Sequence, residues 1–242
     1  MRLDKYLADM GVGTRSEVKK LIGWGRVTVD SKVIRDPGFK VSEESLVFAD
    51  KKEIKYIKYC YYMLNKPRDC VSATSDKEDK TVMDVLKNAG LKTPVFDELA
   101  PVGRLDKDTE GLLLITNDGD MAHFLISPKN HVDKLYYAET DGVMTQEDVA
   151  SFENGMEFAD FTSAPAGLRI LSSDENGSKV HITIHEGKFH QVKRMVAKCG
   201  KNVKFLKRLE FGPLKLDSKL KPGNYRELTI DEVNSLRCLQ EK

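Results

Sequence analysis

Leu112 to Ile115 form an unbroken apolar run, preceded by a largely polar stretch from Arg104 and followed by Thr116-Asn117-Asp118-Gly119. A short apolar run between turn residues predicts a buried strand. Upstream, Leu3, Leu7 and Met10 recur at helical spacing until Gly11 and Gly13 end the segment. Thr14 and Glu17 then stand at capping-box distance and open a second helix, with Val18, Leu21 and Ile22 on its apolar side. Val27-Thr28-Val29 and Val33-Ile34, joined at Asp30-Ser31, predict a hairpin. Trp24, the single tryptophan, either covers the edge of this small core or stacks on a base, and the first is the expectation.

After charged Lys51 to Lys58, which reads as a linker, strand and helix patterns alternate irregularly. Strands are predicted over Tyr61 to Leu64, stopped by Asn65-Lys66-Pro67, and over Leu112 to Thr116, Leu135 to Thr140 and Val180 to Ile184. Helices are predicted over Thr81 to Lys87 and Gly119 to Ile126, from Thr145 with Asp148 to about Gly155, and from Gln191 to Cys199 before Gly200. The pattern is α+β with a mainly antiparallel sheet.

Composition adds charge asymmetry. The chain has 242 residues and a formal net charge of +1, yet residues 1–58 hold 13 Lys and Arg against 9 Asp and Glu. A second basic cluster, Lys188 to Arg208, has eight Lys or Arg and no acid. Two cationic surfaces suggest an extended polyanion as partner. Cys60, Cys70, Cys199 and Cys238 form no C-x-x-C pair, which argues against zinc and against a disulfide framework and fits a cytosolic protein. No segment reaches the roughly 20 apolar residues of a membrane span, so no membrane role is expected.

The candidate chemistry centres on Asp106, set between Arg104 and Lys107 just before the predicted strand. Asp106, Asp108, Glu110 and Gly111 match the start of a calcium loop, but the closing bidentate Glu is replaced by Asn117. His181, His185, Glu186 and His190 invite a zinc reading, yet Phe189 stands where the metalloprotease helix needs His. A solvated acidic turn remains the plain alternative. The basic helix after His190 places Lys193 and Arg194 off its apolar side, where a cation could meet Asp106.

Several ordered blocks carry a resemblance. Arg2-Leu3-Asp4-Lys5-Tyr6-Leu7-Ala8, Thr14-Arg15-Ser16, Ile22, Gly25 and Val27-Thr28-Val29 resemble the RNA-binding module named after small-subunit ribosomal protein S-four; one departure is Asp30-Ser31 in place of its Asn-Gly turn. Gly103 to Gly119, Lys134-Leu135-Tyr136 and Glu186 to Met195 are similar to the RsuA-type pseudouridine synthases. So are Tyr62 to Pro67, Leu206-Lys207-Arg208 and Gly212-Pro213-Leu214. The resemblance covers essentially the whole chain. It implies a small α/β RNA-binding domain over 1–58 and, over 59–242, a larger catalytic domain with a mainly antiparallel mixed sheet flanked by helices.

The implied activity is isomerisation of a uridine to pseudouridine in ribosomal RNA, with no metal, nucleotide or redox cofactor, by a monomer. Asp106 would be the catalytic carboxylate, attacking the anomeric carbon or removing the ribose 2′ proton. Tyr136 would pack on the flipped uracil, with adjacent Tyr137 facing the other side of its strand. Lys193 would be the basic partner of Asp106 and Arg194 the runner-up, while Arg104 would position the loop or a flanking phosphate. His190 and Gln191 would lie on the substrate side, and Arg2, Lys5, Arg15, Lys19, Lys20 and Arg26 would contact RNA phosphates. Lys134-Leu135-Tyr136 and His190 to Met195 lean toward the type acting on 16S rather than 23S RNA. A non-catalytic RNA-binding or ribosome-assembly protein is the reading from another class.

Overall fold

The structure is a computed structural model that describes residues 1–42 and 44–241. The chain divides into two compact units, one of Met1–Cys60 with Lys92–Glu98, the other of Tyr61–Leu91 with Leu99–Lys242.

The first unit begins with helices α1 (Leu3–Asp9) and α2 (Arg15–Gly23). Thr14 caps α2 as its sequence predicts: the hydroxyl accepts from Glu17 N and the Glu17 carboxylate accepts from Thr14 N at 2.8 Å. Four short strands follow, β1 (Val27–Val29), β2 (Lys32–Ile34), β3 (Val47–Ala49) and β4 (Lys52–Ile54), in the order β2, β1, β3, β4. The β1–β2 turn is tight despite lacking Asn-Gly. Asp30 and Ser31 both take positive φ, and the Asp30 side chain accepts Leu46 N at 2.9 Å. Two sequence expectations fail here. Lys52–Ile54 belongs to a paired edge strand rather than a linker, and Trp24 is 65 % exposed rather than sealing the core of Leu3, Leu7, Ile22 and Val27.

The second unit is built on one sheet. Its strands are β5 (Tyr61–Lys66), β6 (Ala100–Pro101), β7 (Glu110–Thr116), β8 (Lys134–Thr140), β9 (Gly167–Asp174), β10 (Gly177–Ile184), β11 (Val203–Phe211), β12 (Leu214–Lys215) and β13 (Tyr225–Glu227). The main path runs β13, β5, β7, β11, β8, β10, β9, with β7 and β11 parallel and the other neighbours antiparallel. Helices α3 (Val82–Asn88), α4 (Gly119–Ile126), α5 (Gln146–Asn154), α6 (Gln191–Lys198) and α7 (Ile230–Gln240) accompany it. The first four match sequence expectations closely. The boxes Thr81–Asp84 and Thr145–Asp148 start α3 and α5, and Asp118 caps α4 by accepting Met121 N.

β7 is apolar from Leu112 to Ile115 and buried from Gly111 to Thr116, because both faces are covered. Leu112 and Leu114 pack with Met63, Met121, Leu125, Phe211 and Leu236 in the main core. By contrast, β8 alternates: Lys134, Tyr136, Ala138 and Thr140 point inward, and Leu135, Tyr137 and Glu139 are half-exposed. That alternation separates Tyr136 from Tyr137, whose hydroxyl donates to Glu139. Among the described residues no helix is long and apolar enough to cross a membrane.

Candidate active site

Asp106 lies in the loop that joins β6 to β7, and a buried lysine and a half-buried serine fix that loop. Lys66, fully buried at the end of β5, donates its ammonium to the carbonyls of Pro67, Asp106 and Thr109 at 3.1, 3.0 and 2.9 Å. Ser72 brackets Leu105, donating to its carbonyl at 2.9 Å and accepting its amide at 3.0 Å. Thr109 N closes the turn onto Asp106 O. The loop backbone is held by four hydrogen bonds from Lys66 and Ser72 and by one of its own, so the carboxylate can project from a fixed base.

Helix α6 supplies the facing cation. Lys193 Nζ sits 3.0 Å from Asp106 Oδ2 and 2.6 Å from Asp108 Oδ1, bridging the two acids. Burial works against the Lys193 charge, but the hydrogen bonds it donates to Asp108 and Asp106 outweigh that and raise its pKa. Burial alone would raise the Asp108 carboxyl, but the hydrogen bond and the charge of Lys193 together outweigh it and hold the group below the ordinary carboxylate value. Lys193 is therefore an ammonium at neutral pH. His190 Nε2 stands 3.6 Å from Asp106 Oδ1, too far for a hydrogen bond, with its ring stacked on exposed Phe189.

Asp106, Tyr136 and Lys193 line one crevice of about 70 Å³, with Arg104 and His190 at its walls. It adjoins a chamber of about 520 Å³ that also reaches Lys134 and Arg208. The Asp106 side chain is 28 % exposed, open enough to meet a substrate and enclosed enough to be oriented.

Gln191 also lines the crevice, and the other expected site residues are engaged differently. Arg194 turns away from Asp106, pairs with Asp160 and lies over the rings of Phe158 and Phe161. Gln191 is buried and braces the loop before α6, accepting Lys188 N and donating to Glu186. Arg2 is paired with Asp4 and Arg26 with Asp50, while Lys5, Arg15, Lys19 and Lys20 are exposed. His185 bonds Asp133 through Nδ1 at 2.5 Å, and the strand carrying His181 keeps it apart from any helical His pair. Lys66 lies in the Tyr62 to Pro67 block of the resemblance, which implies no role for it, and Ser72 lies in no motif.

Lys134 is an unexpected buried cation. Burial, followed by the nearby Arg208 charge, lowers its pKa from 10.5 to about 8. The unfolded chain thus holds more protons between these values, so the neutral amine stabilises the fold above 10.5 and that contribution is lost as pH falls through about 8. Denaturant unfolding at pH 7 and pH 10 should show a rise in native stability of roughly 2–3 kcal/mol relative to Lys134→Met. Parallel behaviour of the two proteins would refute the shift.

A carboxylate facing an ammonium beside a tyrosine ring has the groups for nucleophilic or general-base chemistry on a ligand packed against that ring. The model of the RNA pseudouridylate synthase family matches residues 60–198, and that of the S4 domain matches residues 1–47. The chain belongs to the RNA pseudouridylate synthase family, in its RsuA-type branch with an N-terminal S4 domain, and is an isomerase. An uncharacterised RNA pseudouridine synthase of Bacillus subtilis is 41 % identical over 98 % of both chains. The ribosomal small subunit pseudouridine synthase A of Vibrio parahaemolyticus is 40 % identical, covering 98 % of this chain and 99 % of its own. A ribosomal large subunit pseudouridine synthase B of Bacillus subtilis is 38 % identical, covering 99 % and 97 %. A solved pseudouridylate synthase superposes with a TM-score of 0.67 at 33 % identity, covering 98 % of this chain and 99 % of that one.

Proposed function

We propose that this enzyme isomerises one uridine of ribosomal RNA, in the 16S small-subunit RNA, with Asp106 as the catalytic carboxylate. The observation that carries the reading is the Asp106 carboxylate held 3.0 Å from Lys193 Nζ in the crevice lined by Tyr136. Lys193 holds the carboxylate pointed into the crevice, where it meets the anomeric centre as nucleophile or the 2′ proton as base. Tyr136 stacks on the uracil once the nucleotide leaves its helix. Arg104 and His190, both exposed at the wall, contact the flanking phosphates. Residues 59–242 form the catalytic domain.

The residues of 1–58 supply the RNA grip. Lys5, Arg15, Lys19 and Lys20 on α1 and α2 are exposed cations suited to phosphates, which orient the substrate without reading its sequence. Binding there offsets the few kcal/mol needed to unstack the target base.

The relative named for the large subunit supports a second reading, a uridine of 23S RNA. Mapping pseudouridines in both ribosomal RNAs from cells with and without the gene distinguishes the two. Loss of one modified position from 16S RNA is expected. A lost position only in 23S RNA would transfer the assignment, and unchanged maps would remove ribosomal RNA as the substrate.

A further inference from the structure

The chamber beside Asp106 has a floor that the roles above do not use. Its residues share one face of β8 and β11: Arg208 lies opposite Tyr136 in the antiparallel register, and Phe211 opposite Lys134. Arg208 is 2 % exposed. Its Nε donates to Leu112 O at 2.8 Å and its guanidinium lies over the Phe211 ring, but its buried Nη2 has no hydrogen-bond partner among the described residues. Lys134 is 7 % exposed and donates to Val132 O at 2.7 Å. Neither cation has an ion pair with a carboxylate among the described residues.

Two adjacent buried cations, one with an orphaned donor, are costly to fold around. Such a group calls for an explanation, and an acceptor that arrives with the substrate is one. Pseudouridylation creates that acceptor. The bond between N1 and C1′ breaks with its electron pair left on the base, so the detached uracil is an anion with charge on its ring and carbonyl oxygens. Its C5 then supplies the pair that forms the new bond to C1′, C5 loses its proton and N1 gains one.

We propose that Arg208 and Lys134 form an anion hole for the departing uracil, receiving its carbonyl edge while Tyr136 holds its face. This rests on the reading that Asp106 and Tyr136 bracket the reacting uridine. A phosphodiester fits the floor less well than the base does. Phosphates remain on the strand outside, where Arg104, Lys188 and His190 are exposed, whereas the inner cations flank the aromatic platform on which a planar ring would lie. Donors fixed in a dry site act on developing charge without reorganising.

The test uses the full chain and the RNA fragment carrying the mapped target, with uridine, 2-thiouridine or 4-thiouridine at that position. Arg208→Gln and Lys134→Met should each slow single-turnover pseudouridine formation about 10²-fold with RNA affinity within about twofold. The thio substitution that slows the native enzyme should cost much less in the variant that has lost the contact to that oxygen. Equal thio penalties in native and variant enzymes would overturn the proposal in favour of a packing role. Weaker RNA binding with a shallower salt dependence and an unchanged chemical step would overturn it in favour of a phosphate site. Arg208→Gln also loses the bond to Leu112 O, so Lys134→Met decides the matter if that variant does not fold. If the native enzyme forms no pseudouridine on the fragment, the proposed substrate fails; if it turns over and both variants match it, only the anion hole fails.

Discussion

Asp106→Asn is expected to lower pseudouridine formation by at least about 10³-fold while the protein stays folded and binds RNA. The amide keeps the shape of the carboxylate but can neither attack a sugar carbon nor take up a proton. Its effect on stability is small for a specific reason. Lys193 retains Asp108 at 2.6 Å, so removing one acid does not strand a half-buried ammonium without a partner. The loop backbone is equally indifferent, since Lys66 and Ser72 hold carbonyls and amides rather than the carboxylate. Native-like melting, RNA affinity within about threefold and loss of product in a tritium-release assay is the expected set. Turnover near the native rate would remove Asp106 from the chemistry.

The contrast between Asp106 and Lys193 shows how far residue order alone can reach. A buried strand with a polar loop before it and a basic helix after His190 were both legible, because apolar runs and turn residues report local structure. Their meeting was not legible from the residues themselves; only the resemblance implied it, since 87 positions of chain separate Asp106 from Lys193. Local signals also settled the starts of α2, α3 and α5, where a Thr and an acid three residues later satisfy each other. The same signal at Thr229 and Glu232 marks α7, which the sequence reading passed over. β4 escaped for the opposite reason: Lys52-Glu53 is what an edge strand exposes to water, and charge on an edge looks like a linker. β9 and β11 lack a clean alternation because their residues are half-exposed, and Arg208, although part of a resembling block, gives no sign of its burial, which depends on the strands that flank it. Arg194 shows the remaining limit, because its neighbour Lys193 points to Asp106 while Arg194 itself meets Asp160 on another segment.

Gly111→Ala should be the most destabilising single-methyl change at this site. Gly111 has φ +108°, and a Cβ placed there would lie 2.2 Å from Arg208 O and 2.6 Å from Arg208 N. Both obstacles are backbone, so no side-chain rotation relieves them. β7 and β11 meet in parallel at this point, Gly111 opposite Arg208, and Arg208 Nε returns to Leu112 O one residue on. The added methyl must push β11 away, and with it the guanidinium that faces Tyr136. Strain at positive φ and overpacking against main chain together cost on the order of 4 kcal/mol, which lowers the melting temperature of a domain this size by roughly 10 °C. Activity should fall further than stability explains, because Asp106 is only five residues upstream and its loop leads directly into the displaced strand. Thermal melts and single-turnover rates measured well below the transition separate the two effects: a melt within about 2 °C of native would show that the strands can part without cost, and a native rate in the folded variant would show that the β7–β11 contact does not set the site.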